Sequence, residues 1–313
     1  MSADAIAQAL QVLPRAHACE TVGEWWPRWL AVAARHRVSI DRAVAGGCEA
    51  DRIGWAFAAG YQAALRALLP SLPDDVLAAL CVTETEGNHP KAIRTTLTPD
   101  GAGFRISGEK RWTTLGPDGG LFIVIAREAG SPEERPSLKA VLLRSGIEGL
   151  SVLPMPPTRF VPEVPHARIR LENVRVELGA VLAGDAYGRY VKPFRTVEDV
   201  HVHAATLAYL VAEARARGWP AAWVERTVAA LQALARLAAL DPLAPATHIA
   251  LAGALAIGHG LIEEAERHWA GRDDEPARRW RRDRELMGVA GSARERRLAS
   301  AWKALDAQAP TVA

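Results

Sequence analysis

The spacing of the apolar residues changes twice along this chain, and that change most limits the folds open to it. From Ala3 to about Leu80, apolar residues recur three and four apart. Ile6, Leu10 and Leu13 show it, as do Trp55, Ala58, Ala59, Leu65 and Leu68. That spacing lines one face of a helix. From about Cys81 to Leu178 the period falls toward two, the signature of half-buried strands. Beyond Gly179 the helical spacing returns and holds to the end. Helices, then strands, then helices in blocks predict an α+β chain rather than a parallel sheet with crossover helices. The expected domains are residues 1–80, helical; 81–178, β; and 179–313, helical.

Within the middle block, Pro99-Asp100-Gly101 is turn chemistry, since Pro presets φ and Gly accepts a positive φ. It predicts a hairpin, with Trp112, Thr113 and Thr114 on or just after its second strand. Further strands are expected at Gly120–Arg127, Leu138–Leu143, Leu150–Leu153 and Ala167–Leu171, separated by clusters such as Gly130-Ser131-Pro132. Short strands at this spacing suggest a small barrel or sandwich. Pro70 and Pro73 close the last N-terminal helix. In the last block, Tyr190–Phe194 leads into a long helix through about Arg217. Helices near Ala221–Ala239 and Thr247–Trp269 follow, split by Asp241-Pro242. Trp25, Trp26 and Trp29, at helical spacing, read as core rather than as a cofactor box.

Composition narrows the function classes. A formal charge of +2 over 313 residues gives no sign of nucleic acid or of a charged membrane surface. Three scattered cysteines, Cys19, Cys48 and Cys81, suit neither a disulfide framework nor a metal site. They fit a reducing, cytoplasmic setting. No cleavable signal and no membrane-spanning run is evident in the sequence.

The stretch Cys81–Thr114 carries a resemblance. Val82-Thr83-Glu84, followed one hairpin later by Lys110-Arg111-Trp112-Thr113-Thr114, resembles the middle domain of the acyl-CoA dehydrogenase family. Leu171-Glu172-Asn173-Val174-Arg175-Val176 resembles the segment that ends that domain. The resemblance implies a helical domain, a β-barrel or sandwich domain and a shortened helical bundle. It implies FAD as cofactor: Val82 and Thr83 reach the flavin pyrimidine, Trp112 stacks on the isoalloxazine, and Thr114 lies near N5. A flat π-system needs an aromatic wall, and the protein's task toward a cofactor is orientation and tuning.

Arg282–Arg294 resembles the stretch where many members carry a catalytic Glu. Here that position is Ala290, and the family's flavin-contacting Thr is Ser292. In the branch exemplified by isovaleryl-CoA dehydrogenase the base comes from an earlier helix, and the matching residue is Glu198. It sits early in a helix whose face Val197, Val200, Ala204, Leu207 and Val211 is apolar, with His201 within reach one turn on. As a base it must be partly desolvated, so that its pKa rises. A Glu favoured near a helix N-terminus by the dipole is the other reading.

Departures from the family pattern are also plain. The phosphate-side loop is Glu84-Thr85-Glu86-Gly87-Asn88-His89-Pro90, poor in glycine and rich in negative charge. The Arg expected after the alternative base is Asp199. Segments that normally reach a neighbouring subunit's flavin are missing, and the N-terminal helical part is short. The basic run Arg278, Arg279, Arg281, Arg282 and Arg284 reads either as a solvated face beside Asp283, Glu285 and Glu295, or as a phosphate site. The resemblance thus implies α,β-dehydrogenation of an acyl-CoA thioester, with an electron-transfer flavoprotein as acceptor and a homo-oligomer or a related subunit as partner. The alternative is a degenerate, non-catalytic subunit that pairs with a complete dehydrogenase.

Overall fold

A computed structural model describes residues 1–11 and 18–307; Leu13, one of the helical markers, lies outside them. Four helices come first: α1 (Ala3–Leu10), α2 (Val22–Ala33), α3 (Ser39–Glu49) and α4 (Ile53–Leu68). Ser2 and Thr21 start two of them, each side chain accepting a backbone N–H in the first turn. Trp25 and Trp29 are buried, and Trp25 stacks on Trp55 with ring centroids 5.3 Å apart. They are core, as their spacing predicts. α4 stops at Leu68, two residues before Pro70.

Strands begin slightly earlier than expected. β1 (Ala78–Cys81) is followed by β2 (Thr96–Asp100), β3 (Gly103–Thr114), β4 (Leu121–Glu128), β5 (Leu138–Arg144), β6 (Leu150–Pro154) and β7 (His166–Val176). They form one curled, mixed sheet, in the order β1-β4-β2-β3-β7-β6, with β5 on the far edge of β4. The β2–β3 hairpin closes at Asp100↔Gly103, where Gly101 supplies the positive φ of 59°.

β4 explains how the sheet joins the helices. Its first half pairs with β1 and its end with β2, while β5 covers its other edge. Phe122, Val124 and Ala126 point into the curl of the sheet. Leu121, Ile123 and Ile125 join the core shared with the helices. A strand buried on both faces reads as a continuous apolar run, and Leu121–Ala126 does.

The helical core is organised on α5 (Lys192–Arg217), which packs against α3 and α4. Its faces touch them nearly backbone to backbone. A Cβ on Gly47 would lie 2.1 Å from the Ala205 carbonyl oxygen, and one on Gly60 2.7 Å from Val202 Cα. Val200, Ala204, Leu207 and Val211 are all in this core. α6 (Ala221–Leu237), α7 (Pro245–Trp269), α8 (Glu275–Asp283) and α9 (Gly291–Asp306) complete the chain. α7 is long and apolar enough to cross a membrane by length and composition, which qualifies the sequence reading. Here it packs against α5, α6 and α9.

The arginines around α8 are ion-paired. Arg279 meets Glu20 and Asp51, Arg281 meets Asp273, Arg282 meets Asp283 and Glu163, and Arg284 meets Glu266. They bind the last helices to the first ones and to the loop after β6.

Candidate functional site

The end of β3 is irregular, and that irregularity aims a side chain. Its pairing with β7 shifts register between Lys110 and Thr113, and Trp112 within the shift has φ 60°. A non-glycine residue there costs about 1–3 kcal/mol, and such strain gathers where function needs it. The result is that Lys110 and Thr113 are buried while the Trp112 indole, 51% exposed, turns outward. The Arg111 N–H donates to the Thr83 carbonyl at 2.9 Å. That bond holds Val82 and Thr83 alongside Trp112.

The strain is anchored by a buried pair. Lys110 Nζ lies 2.6 Å from Glu84 Oε1. The same carboxylate accepts the Arg94 and Thr95 N–H groups and the Thr95 hydroxyl. A buried pair holds only when its remaining donors and acceptors are also satisfied, and these are. Burial still pushes the Lys110 ammonium down from its ordinary range, with Glu84 opposing. Glu84 is therefore a structural acceptor that closes the loop. Glu86 in that loop is taken by Arg94 at 3.1 Å.

Three cavities meet at Glu198, which borders all of them. The smallest, about 160 Å³, is lined by Val82, Thr83, Trp112 and Thr114 together with Tyr61 and Arg195. The second, about 650 Å³, runs from Trp112, Thr114 and His166 past Glu198 to Met287 and Ala290. The third, about 630 Å³, is basic, with Lys192, Arg195, His248 and Arg296 on its walls. Lys192, Arg195 and Arg296 have no ion-pair partner among the described residues.

A π-helical turn at Tyr187–Val191 leads into α5, and Glu198 sits in the second turn. Burial pushes its carboxyl up to about 8, and the neighbouring Asp199 adds to this, against Arg294 and Arg195. Asp199 behaves oppositely. Burial works against its ionisation too, but Arg294 at 2.8 Å and Arg297 at 2.5 Å outweigh it and hold the carboxyl below its usual range. Two adjacent carboxylates with divergent pKa values divide the roles: Asp199 is a fixed anion, and Glu198 can carry a proton. Arg294 also donates to the Met287 carbonyl, so Asp199 ties the segment around Ala290 to α5.

Most of the residues singled out from the sequence converge here. Val82, Thr83, Trp112, Thr114 and Glu198 share one cavity, and Ala290 faces Glu198 across another. Ser292 does not join them. It is exposed in the first turn of α9 and lines none of the three cavities. His201 does not serve Glu198 either. Its Nδ1–H donates to the Val197 carbonyl, and its Nε2 accepts from the Ser39 hydroxyl. The residues that sequence reasoning missed are His166, edge-on to Trp112 at 6.1 Å, and the partners of Asp199. The sequence signal for the latter was Asp199 itself, an acid where the resemblance implies an arginine.

Residues 79–174 match the family model of the acyl-CoA dehydrogenase middle domain. "Probable acyl-CoA dehydrogenase FadE10" of Mycobacterium tuberculosis is 29% identical over 121 residues, which is 38% of this chain and 19% of that protein. Benzylmalonyl-CoA dehydrogenase of Aromatoleum aromaticum is 34% identical over 88 residues, 28% of this chain and 22% of that one. The matched stretch thus spans about a fifth of the length of these curated relatives. The whole fold superposes on butyryl-CoA dehydrogenase of Megasphaera elsdenii with TM-score 0.69, at 14% identity over 91% of this chain and 90% of that one. Fold and middle domain define an acyl-CoA dehydrogenase-like architecture. Residues 79–174 belong to the acyl-CoA dehydrogenase middle-domain family, and the helices around them take the fold of its members. The comparisons do not place the chain in the isovaleryl-CoA dehydrogenase branch.

The flavin that such a family implies can be tested against the residues present. An outward-turned indole beside a threonine hydroxyl, facing a cleft, fits a planar ring. The loop of residues 84–90 offers little to a pyrophosphate. Gly87, with φ 115° and open space around it, is its single glycine.

Proposed function

We propose that this protein is an FAD-dependent enzyme that removes hydrogen across the α and β carbons of an acyl-CoA thioester. One observation carries the reading: a desolvated carboxyl, Glu198, shares a cavity with Trp112 and Thr114. Bound FAD would supply the hydride acceptor. Trp112 would back the ring, with Val82 and Thr83 at its pyrimidine edge and Thr114 near N5. Glu198 would take the α-proton, using a base position like that of the isovaleryl-CoA dehydrogenase branch. Ala290 cannot accept a proton and leaves that role open. Lys192, Arg195 and Arg296 give the adjoining cavity the positive charge that suits a phosphate-bearing carrier. Ser292 has no part in this arrangement, as an exposed residue.

On this reading the chain works in the cytoplasm, passes electrons to an electron-transfer flavoprotein, and functions as an oligomer of copies or with a related subunit. Its division at residues 80 and 178 would leave the flavin between the second and third domains. The test is an absorbance spectrum of the purified protein with an anaerobic acyl-CoA titration. A yellow protein bleached by an acyl-CoA supports the reading. A colourless protein that takes up no FAD removes it and leaves the non-catalytic partner role.

A further inference from the structure

α5 presents two rows of side chains to the 650 Å³ cavity: Glu198 with Val202, and Asp199 with His203. Members of each pair are four residues apart and share a face. Much of the remaining wall is apolar, including Phe57, Phe160, Leu286 and Met287. Among the polar lining residues, which include Thr114, Thr158, Arg159, His166 and Arg294, His203 is the one with a buried polar atom that lacks a partner. Its side chain is 1% exposed. Its Nδ1 lies 2.8 Å from the Asp199 backbone carbonyl. A carbonyl only accepts, so the ring hydrogen is on Nδ1 and Nε2 carries a lone pair. That Nε2 is buried with no hydrogen-bond partner among the described residues. Burial, with Arg294 nearby, pushes the imidazole down to about 4, so the ring is neutral near pH 7. His259, with its ring centroid 5.6 Å away, also leaves Nε2 unpartnered. A buried acceptor without a donor is a standing cost that a ligand can remove.

We propose that the acyl group taken by this cavity carries its own hydrogen-bond donor, a hydroxyl or an amide N–H, received by His203 Nε2. This rests on the acyl-thioester reading above. His203 is five residues beyond Glu198, about 7.5 Å along the helix axis and in the other row, which places the donor at least about five or six bonds from the carbon that Glu198 addresses. A plain alkyl chain fills the same walls and leaves Nε2 bare. A terminal carboxylate would set its charge against the lone pair.

The experiment is calorimetric binding of hexanoyl-CoA and 6-hydroxyhexanoyl-CoA to the purified protein and to His203→Phe. The wild type should bind the hydroxylated probe about tenfold to a hundredfold more tightly. His203→Phe, which keeps an aromatic ring and removes the acceptor, should prefer hexanoyl-CoA. Equal affinities in the wild type overturn the inference and indicate a trapped water on Nε2; this comparison holds even if the variant does not fold. Binding of neither probe overturns the thioester reading itself, a separate outcome from equal binding of both.

Discussion

Glu198→Gln tests the site through stability, without a cofactor or a substrate. Gln is neutral like the protonated acid and of nearly the same shape, so it removes only the titration. The Glu198 carboxyl rises from an ordinary 4.5 to about 8 on folding. Between these values the folded chain holds a proton that the unfolded chain releases. The sign follows from linkage. The proton's contribution is complete below about pH 4.5, declines as pH rises, and is gone above about pH 8. The rise corresponds to roughly 5 kcal/mol over that window, an upper figure because neighbouring cations relax toward the new charge. Urea unfolding of both proteins at pH 5, 7 and 9 reads the effect as a difference of differences. Other titrations common to the two chains cancel. The wild type should lose several kcal/mol relative to Glu198→Gln between pH 5 and 9. Parallel pH profiles for the two proteins would show that Glu198 is solvated as an ordinary surface acid, and the argument for a poised base would fall.

Three further outcomes follow from the same geometry. If the chain reduces flavin with an acyl-CoA, the stopped-flow reduction rate should climb as pH rises through about 8, and Glu198→Gln should slow it roughly a hundredfold or more. Trp112→Ala should leave the fold intact, because the indole is half-exposed, and weaken FAD binding by about 1–3 kcal/mol in an equilibrium titration. Lys110→Met strands the Glu84 carboxylate and should cost about 3–5 kcal/mol in urea unfolding, far more than a surface lysine would.

Much of the architecture was legible because it follows from period. β4 was legible as the strand expected at Gly120–Arg127, and the β2–β3 turn as Pro-Asp-Gly. α5 was visible from its face of Val200, Ala204, Leu207 and Val211. What stayed hidden depends on distance along the chain. The Asp199 clamp joins residues 95 and 98 positions apart, and no local pattern encodes it. The same holds for Lys110 and Glu84, 26 positions apart; the lysine was visible as part of a motif, but its burial was not. His201 misled because helical spacing gives neighbours on a face and not hydrogen-bond choices. It faces α3, where Ser39 waits. Ser292 misled for a related reason: a motif's position is carried over by alignment, but exposure is decided by how α9 packs.

The site depends on two buried charge groups that do no chemistry. Lys110 with Glu84 fixes the bulge that turns Trp112 outward. Asp199 with Arg294 and Arg297 fixes α9 and the Ala290 segment against α5. Each is expensive to desolvate, and an apolar replacement of equal volume would often be as stable. Their value lies in register. An apolar contact tolerates sliding by a fraction of an ångström, whereas an Arg–carboxylate clamp fixes both position and angle. Between these two anchors sits Glu198, whose own charge has no clamp. Asp199 takes the guanidinium groups that would otherwise neutralise Glu198 and stands beside it as a like charge. The Asp199 clamp therefore acts in opposite directions on the two carboxyls. It ionises the structural one and keeps the other protonated until the pH approaches 8.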